Sequence, residues 1–548
     1  LNTTEQYVLP AGRTSPRNAA GKVFQQLFSF PVLLGALLVA AVFFGTLSQG
    51  AKTDTLFSEG DTWWHVRAGE EILATHKMPH TDSYSWTAAG TPWIAYEWLG
   101  EAAMAGAYRA GRFQGLRFLQ LTLAGTMLAL LYMYATMRCE NSKAAFAVCA
   151  VIVPVAAGFW SLRPQLFGYI FFVIVLMILE RFRQGKSRAL WILPFVFLLW
   201  VNTHGTFVFG FLALGIAWVS GLWRFRLNGI ESFVWRRTQR IELEVATLAS
   251  VLALLVTPYR SQLAAYPLDI IFLQPANVAN IQEWMPITSE RFLTLTVLVL
   301  LLGFLVSKIL MRFHCRLDDL AFVSIAAIAA FLHLRFVPLF LLVTVPLLAL
   351  PLAWQFSPYD QARDRAQLNA ALMAIVGLGL IYYFPSRENL EKACAAHYPV
   401  AALEHLDAGQ ASGHIFNEYG WGGYLAWSHL PREGVFIDGR ADIYERAGVL
   451  DDYLSIARLG PGSLRLLGKY DIATCLIRSD APLATVLSAL PEWQLVYADQ
   501  VGSLYVRRRI VPAGASAPTQ VASTVHSTSG RTFHSEPSER LAPLLSLR

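Results

Sequence analysis

Residues 161–183 read SLRPQLFGYIFFVIVLMILERFR: a polar turn holding Arg163, an unbroken apolar run over 166–179, and a basic end at Arg181 and Arg183. No soluble helix needs such a run, and its two flanks differ in charge. Similar runs occur at about 31–48, 116–136, 144–159, 189–201, 206–222, 243–257, 292–307, 318–332, 336–351 and 368–384. Together they predict a polytopic all-α membrane bundle of about 11 transmembrane helices over residues 1–385. The composition agrees, with 55% hydrophobic and 15% charged residues in 548.

The short connections orient this bundle. Arg181, Arg183, Lys186 and Arg188 fill one loop, Arg224, Arg226, Arg236, Arg237 and Arg240 another, and Lys308, Arg312 and Arg316 follow the eighth run. Positive charge marks these loops as cytoplasmic, together with Arg13, Arg17 and Lys22. The stretches 49–112, 160–165, 202–205, 258–291, 333–335 and everything after 385 then face outward. The first run reads as a signal anchor retained as a helix. The formal charge of +6 is accounted for by basic loops against anionic lipid and calls for no nucleic acid.

Loop 49–112 holds eight acidic residues against five Lys or Arg, and its pattern is too polar for mere anchoring. Within it Asp61-Thr-Trp-Trp-His65-Val-Arg67-Ala-Gly-Glu70 predicts a helix capped by Asp61 and lying along the interface, with its indoles at headgroup depth. A second short helix is expected from Glu97 to Tyr108. Asp61 is the candidate base, because a carboxylate whose proton affinity is set by a neighbouring cation can take a proton from a hydroxyl or ligate a divalent cation. His65 can orient it through a hydrogen bond. Arg67, Glu70 and Glu97 are expected to line the cavity or meet the acceptor.

The other outward turns add Arg163, His204, Arg260 and Arg335, the expected phosphate-binding set, with Arg335 and Arg163 the preferred pair for charge on a leaving group. Snorkelling to lipid phosphate explains any one of them equally well. In loop 258–291, Glu283 and Trp284 can line the cavity mouth or start the next helix.

Beyond Pro385 the apolar period shortens. Strands are expected at 413–416, 423–427, 435–438, 472–477, 493–497 and 503–507, between helices near 399–408, 442–458, 462–469 and 481–490. This predicts a periplasmic α/β domain over 386–510, followed by a flexible tail at 511–548. Tyr424 beside its glycines, Asp438 and Arg440 are candidates to hold an acceptor, and an internal salt bridge is the other reading of the last two. Cys394 and Cys475 share the oxidising side and could pair. Walker, zinc-protease and spaced-cysteine patterns do not occur.

The Gly-Asp-Thr-Trp-Trp-His stretch after the first helix, the many-span bundle and the outer C-terminal domain resemble the GT-C superfamily of polyprenyl-phosphate-sugar-dependent membrane glycosyltransferases. That resemblance implies a lipid-linked sugar donor, a glycan, lipid or protein acceptor, a bacterial inner-membrane location, and an acidic residue of the first outer loop acting on the acceptor. Asp61 is the matching position. Residue 62 is Thr, where the paired-acid form has a second acid, so the metal remains open between none and a divalent cation. The chain also resembles uncharacterised bacterial multispan proteins carrying Asp-x-Trp-Trp-His, Trp-x-Asn-x-His-Gly, Gly-Gly-Tyr-Leu and Asp-Gly-Arg. A lipid or polysaccharide transporter and a noncatalytic envelope assembly protein are the competing expectations.

Overall fold

The computed structural model describes residues 16–47, 50, 53–311, 313–407, 413–428 and 434–508. Arg13, Arg312, most of the expected turn at 431–434 and the tail 511–548 lie outside the described residues. Residues up to Arg507 form one compact unit.

Every apolar run holds a helix, but the helices differ in length. Among the described residues six are long and apolar enough to cross a membrane: Phe30–Leu47, Trp98–Cys139, Ser142–Phe159, Gln165–Arg183, Arg291–Met311 and Leu334–Gln355. A seventh is present if Ala366–Tyr382 and Arg387–His397, bent by 60°, count as one span. The expected count of 11 thus exceeds what length and composition support. Leu193–Val201 has nine residues and Phe207–Ser220 fourteen. At 1.5 Å per residue both fall short of a hydrocarbon core of about 30 Å.

The helix Trp98–Cys139 organises the bundle. It breaks at Gly111 and Arg112, where Arg112 takes φ 51°, so its first part is the short helix expected from Glu97 to Tyr108 and its second part is the second apolar run. It ends at Glu140 in the left-handed region, and the Asn141 side chain accepts from the amides of Lys143 and Ala144 to start the next helix. This cap satisfies amides that have no partner inside the helix, which turns the chain back on itself.

At one end of the bundle, Arg138 forks onto Asp319 with Nη1–Oδ1 and Nη2–Oδ2 distances of 3.0 and 2.7 Å. Arg316 reaches Glu180 at 2.7 Å and Arg183 pairs with Asp318. Asp318 and Asp319 sit in the first turn of Leu317–Leu332, where the helix dipole favours negative charge. The turns with Arg163 and Arg335 lie at the other ends of two of these helices, Gln165–Arg183 and Leu317–Leu332.

The C-terminal part builds a four-stranded sheet. His414–Asn417 runs parallel to Ile472–Arg478, which pairs antiparallel with Gly502–Arg507, itself antiparallel to Trp493–Ala498. Four of the six expected strands are therefore present. The expected strand at 423–427 is a helix, Tyr419–Ser428. Its glycines decide this: a Cβ on Gly422 would come within 1.9 Å of the Ile437 carbonyl oxygen, and one on Gly423 within 2.4 Å of that of Gly60. The expected strand at 435–438 makes only a single bridge, Val435 to Ser85. Cys394 and Cys475 are both buried as free thiols, so the pairing does not form.

Loop 49–112 is ordered largely by this C-terminal segment, not by the bundle alone. Trp86 stacks on His414 with ring centroids 4.1 Å apart, its amide donates to the Val435 carbonyl at 3.1 Å, and the Val435 amide donates to Tyr84 O at 3.0 Å. Trp63 and Trp64 are buried inside the protein and not exposed on its surface. Trp63 packs among Phe57, Phe113, Tyr398, Tyr424 and Trp427, the last with centroids 4.7 Å apart. Tethering by aromatic packing and sheet-like bridges replaces the interfacial belt.

Candidate active site

The helix Asp61–Thr75 begins at Asp61, with Gly60 as its N-cap and no side-chain cap bond. Asp61 is therefore not the structural cap expected of it. Trp64 Nε1, one turn along, donates to Asp61 Oδ1 at 3.1 Å, and Oδ2 lies 2.8 Å from Arg163 Nη2. The backbone of Gly439 closes over it, where a Cβ would stand 1.7 Å from Asp61 Oδ1. Tyr419 fixes that approach by donating its hydroxyl to the Gly439 carbonyl at 3.1 Å. Asp61 keeps 17% of its side chain exposed, so the carboxylate is set but still reachable.

Thr62 shows why Arg163 arrives here. Fully buried, it donates through Oγ1 to the Leu162 carbonyl at 3.0 Å and so ties the turn before Arg163 to the start of the Asp61 helix. The guanidinium of Arg163 then meets three carboxylates: Asp61, Glu283, and Glu59 at 3.8 Å. Burial raises the proton affinity of Asp61 more than Arg163 lowers it, with Glu283 adding to the rise. Burial also pushes Glu283 up, but there Arg163 and Arg335 prevail and hold it below the ordinary range.

Arg335 lies in the turn between two helices, its guanidinium 4.1 Å over the Trp284 ring. The turn is pinned by His333, 2.6 Å from the Trp284 carbonyl, and by the Leu334 amide on Met285 O at 2.9 Å. Among the described residues Arg335 has no carboxylate within ion-pair distance, unlike Arg163. Its charge is nonetheless felt at Glu97, Glu283 and His204.

His65 does not reach Asp61, which corrects the expected role. Its Nδ1 lies 3.3 Å from Glu101 Oε1 and its Nε2 3.3 Å from Glu97 Oε2, while His204 Nε2 stands 3.1 Å from Glu97 Oε1. Burial pushes Glu97 up to about 8, against the pull of Arg163. Burial likewise depresses both imidazoles far below their ordinary value. The contacts therefore join a protonated carboxyl and neutral rings at neutral pH, not opposite charges.

The remaining candidates lie elsewhere. Asp438 and Arg440 do not face the cavity but form a buried clamp with Asp82, with Arg440 Nη2 2.7 Å from Asp82 Oδ1. Tyr424 stacks on Tyr398 at 4.5 Å within the aromatic cluster. Arg67 sits 5.6 Å over the Tyr84 ring, and Glu70 is raised by burial against Arg109. Arg260 is exposed beside an apolar groove lined by Trp98, Leu198 and Val256, apart from the Arg163 group. Sequence reading missed Glu59, Thr62, Glu101 and Gly439. The spacing of Glu97 and Glu101, one turn apart on a helix face, was the signal available for one of them.

The guanidinium of Arg163 already occupies the space among Asp61, Glu59 and Glu283, and among the described residues no three His, Cys, Asp or Glu side chains are placed to hold a metal ion.

No protein-family model matches the chain, and no curated protein does. Among solved structures it is similar to the apo oligosaccharyltransferase of Archaeoglobus fulgidus, with 12% identity and a TM-score of 0.49 over 81% of this chain and 69% of that one. It is similar to AglB from the same organism, in complex with an inhibitory peptide and a dolichol-phosphate, with 12% identity and a TM-score of 0.48 over 90% and 75%. It is also similar to ArnT from Cupriavidus metallidurans bound to undecaprenyl phosphate, with 13% identity and a TM-score of 0.47 over 91% and 100%.

Proposed function

We propose that this chain transfers a sugar from an outward-facing polyprenyl-phosphate carrier to an acceptor hydroxyl or amide at the outer membrane surface of the bundle. The observation that carries the reading is the pairing of unlike groups in one place. Asp61 is partly open with a raised proton affinity, Arg163 joins it to Glu283, and Glu283 also feels Arg335, a half-buried cation that among the described residues has no carboxylate within ion-pair distance.

In this reading Asp61 accepts the acceptor's proton as the acceptor heteroatom bonds to the anomeric carbon. The bond from that carbon to the carrier oxygen breaks, and the phosphate departs with the electron pair. A base whose proton affinity is raised toward the working pH is suited to the first event. Arg335 meets the charge on the phosphate, and its planar donors match phosphate oxygens. Arg163 takes a different part from the one expected. With three carboxylates around it, it orients Asp61 and keeps it ionisable instead of binding the carrier. Its fixed charge there does the neutralising that a bound cation would otherwise supply.

The location is read as the bacterial inner membrane, with the Asp61 end outward because the Arg181 and Arg236 loops lie at the opposite end. The test is turnover of a lipid-linked sugar by the purified full chain. Asp61→Asn keeps an acceptor for Trp64 but cannot take a proton, so the rate falls by about 10²- to 10⁴-fold. Wild-type turnover by Asp61→Asn rejects the role.

A further inference from the structure

A line of buried proton carriers runs inward from the candidate site and plays no part in the chemistry above. It begins at Thr206, whose Oγ1 lies 3.0 Å from His204 Nδ1, and whose amide donates to that same nitrogen at 3.1 Å. An amide can only donate, so His204 Nδ1 carries no proton and the ring proton sits on Nε2. That proton faces Glu97 Oε1 at 3.1 Å. The far oxygen of Glu97 faces His65 Nε2, and His65 Nδ1 faces Glu101 Oε1, both at 3.3 Å. The line stops at Glu101 Oε2, which is buried with no partner.

Counting protons shows what this arrangement allows. His204 supplies a donor to Glu97 in every state. A neutral His65 has one N–H and one lone pair, and it stands between two carboxyl groups. If its proton is on Nδ1 it serves Glu101, and Glu97 must then carry a proton to meet the bare Nε2. If its proton is on Nε2 it serves Glu97, and Glu101 must carry one to meet the bare Nδ1. With neither acid protonated, a carboxylate would face a lone pair in a site closed to water. A single added proton satisfies the set, and it has two places to be.

We propose that His65 is a proton shuttle between Glu97 and Glu101, so that Glu101 acts as an internal proton store for the outer site. In the transfer, the Glu97 O–H bond breaks as a proton joins His65 Nε2. The His65 Nδ1–H bond breaks as its proton joins Glu101 Oε1. Negative charge thereby passes from Glu101 to Glu97 with no net change. The other groups felt by this line are Arg163, Asp61, Arg335 and Glu283 at Glu97, Arg163 and His204 at His65, and Arg440 at Glu101. Tyr96 beside Glu97 and Tyr259 beside Glu101 border it from the outer loops, and Asp442 of the C-terminal segment faces Tyr96. A cation or anion arriving beside Arg163 and Arg335 thus biases which acid holds the proton. The coupling to turnover rests on the sugar-transfer reading, whereas the shuttle itself does not.

Infrared difference spectra of the full chain in nanodiscs, between mildly acidic and alkaline pH, count the buried protonated carboxyls without any substrate. The Glu97–Glu101 pair is expected to contribute one band, beside those of other buried acids such as Asp61 and Asp442. Glu101→Gln is expected to retain that band on Glu97 at a shifted frequency, whereas Glu97→Gln loses it, because its amide oxygen must face His204 Nε2–H and its N–H then serves the bare His65 Nε2. Two bands from this pair in the wild type, each removed by its own single variant, overturn the shuttle. So does a band that Glu101→Gln leaves wholly unshifted. His65→Asn, checked for folding by its melting curve, is expected to fix the band at one acid so that the Glu101→Gln change no longer moves it; continued movement also counts against the proposal. Turnover reads the coupling separately. Glu101→Gln is expected to move the alkaline limb of the kcat profile by at least threefold in proton concentration while KM stays unchanged. An unmoved limb with the infrared result intact confines the failure to the coupling. Absent turnover in the wild type points instead at the transfer reading.

Discussion

Replacing Arg440 with Met is expected to loosen the outer loop from the C-terminal segment and to do so at a large energetic cost. Arg440 donates through Nε to Asp438 Oδ1 at 2.9 Å and through Nη2 to Asp438 Oδ2 at 2.5 Å, with Asp82 2.7 Å from the same Nη2. Its guanidinium lies 4.6 Å over both the Tyr84 and Trp93 rings. All three charged groups are buried. Asp82 has other donors in the Tyr84 and Ser85 amides and the Ser85 hydroxyl, whereas Asp438 keeps only the residue-440 amide. Removing one partner of such a pair costs about 3–5 kcal/mol because the remaining charge is stranded. The lost ring contacts add about 0.5–2 kcal/mol. Methionine fills much of the volume, so little of the effect comes from a cavity. Apparent melting points of the detergent-solubilised chain, compared at one heating rate, should fall well below wild type, and protease should cut loop 49–112 sooner. Adding Asp438→Asn should restore most of the loss, since the stranded charge is then gone. A melting point unchanged in Arg440→Met, or no recovery in the double variant, refutes the reasoning.

Gly439→Ala should lower turnover at least tenfold with little loss of folded protein, because its Cβ would stand 1.7 Å from Asp61 Oδ1 and the carboxylate must move; steady-state kinetics beside a melting curve checks this. Asp442 is pushed up to about 6 by burial, against Arg446 and Arg440. Its protonated form is the one the fold prefers, so its contribution is full below its ordinary value near 3.8 and is lost as pH rises through about 6. Asp442→Asn should therefore melt higher than wild type at neutral pH, with the difference shrinking toward pH 4. Arg260→Gln should leave turnover unchanged, since Arg260 stands apart from the Arg163 group; a large loss would return it to the carrier site.

The bundle was legible because apolar runs and basic loops are local properties of the chain. Each of the eleven runs holds a helix, yet the runs do not say where a helix breaks or tilts, which is why Leu193–Val201 and Phe207–Ser220 were counted as full spans. That Asp61 and Arg163 share one end of the bundle was legible from charge and topology, since both stand at outward helix ends, whereas their pairing was not. Partners within that end were not. His65 was assigned to Asp61, four residues away, because sequence proximity suggested it. Helical spacing puts the two on one face, yet Asp61 is held by Trp64 and Arg163, while His65 turns to Glu97 and Glu101 on another segment. Trp63 and Trp64 looked like a membrane belt because nothing in loop 49–112 reveals that the Tyr419–Ser428 helix packs on them. That helix itself read as a strand, since its close glycine contacts with Gly60 and Ile437 are long-range.

The central claim is that Arg335 holds the phosphate of a lipid carrier beside Asp61. A structure of the full chain purified with its co-extracted lipids, or with added polyprenyl phosphate, tests this most directly. The account predicts a phosphate headgroup on the Arg335 guanidinium, on the side open to Asp61. A well-ordered headgroup bound instead at Arg260 or at the Arg138–Asp319 end, with Arg335 left free, contradicts it.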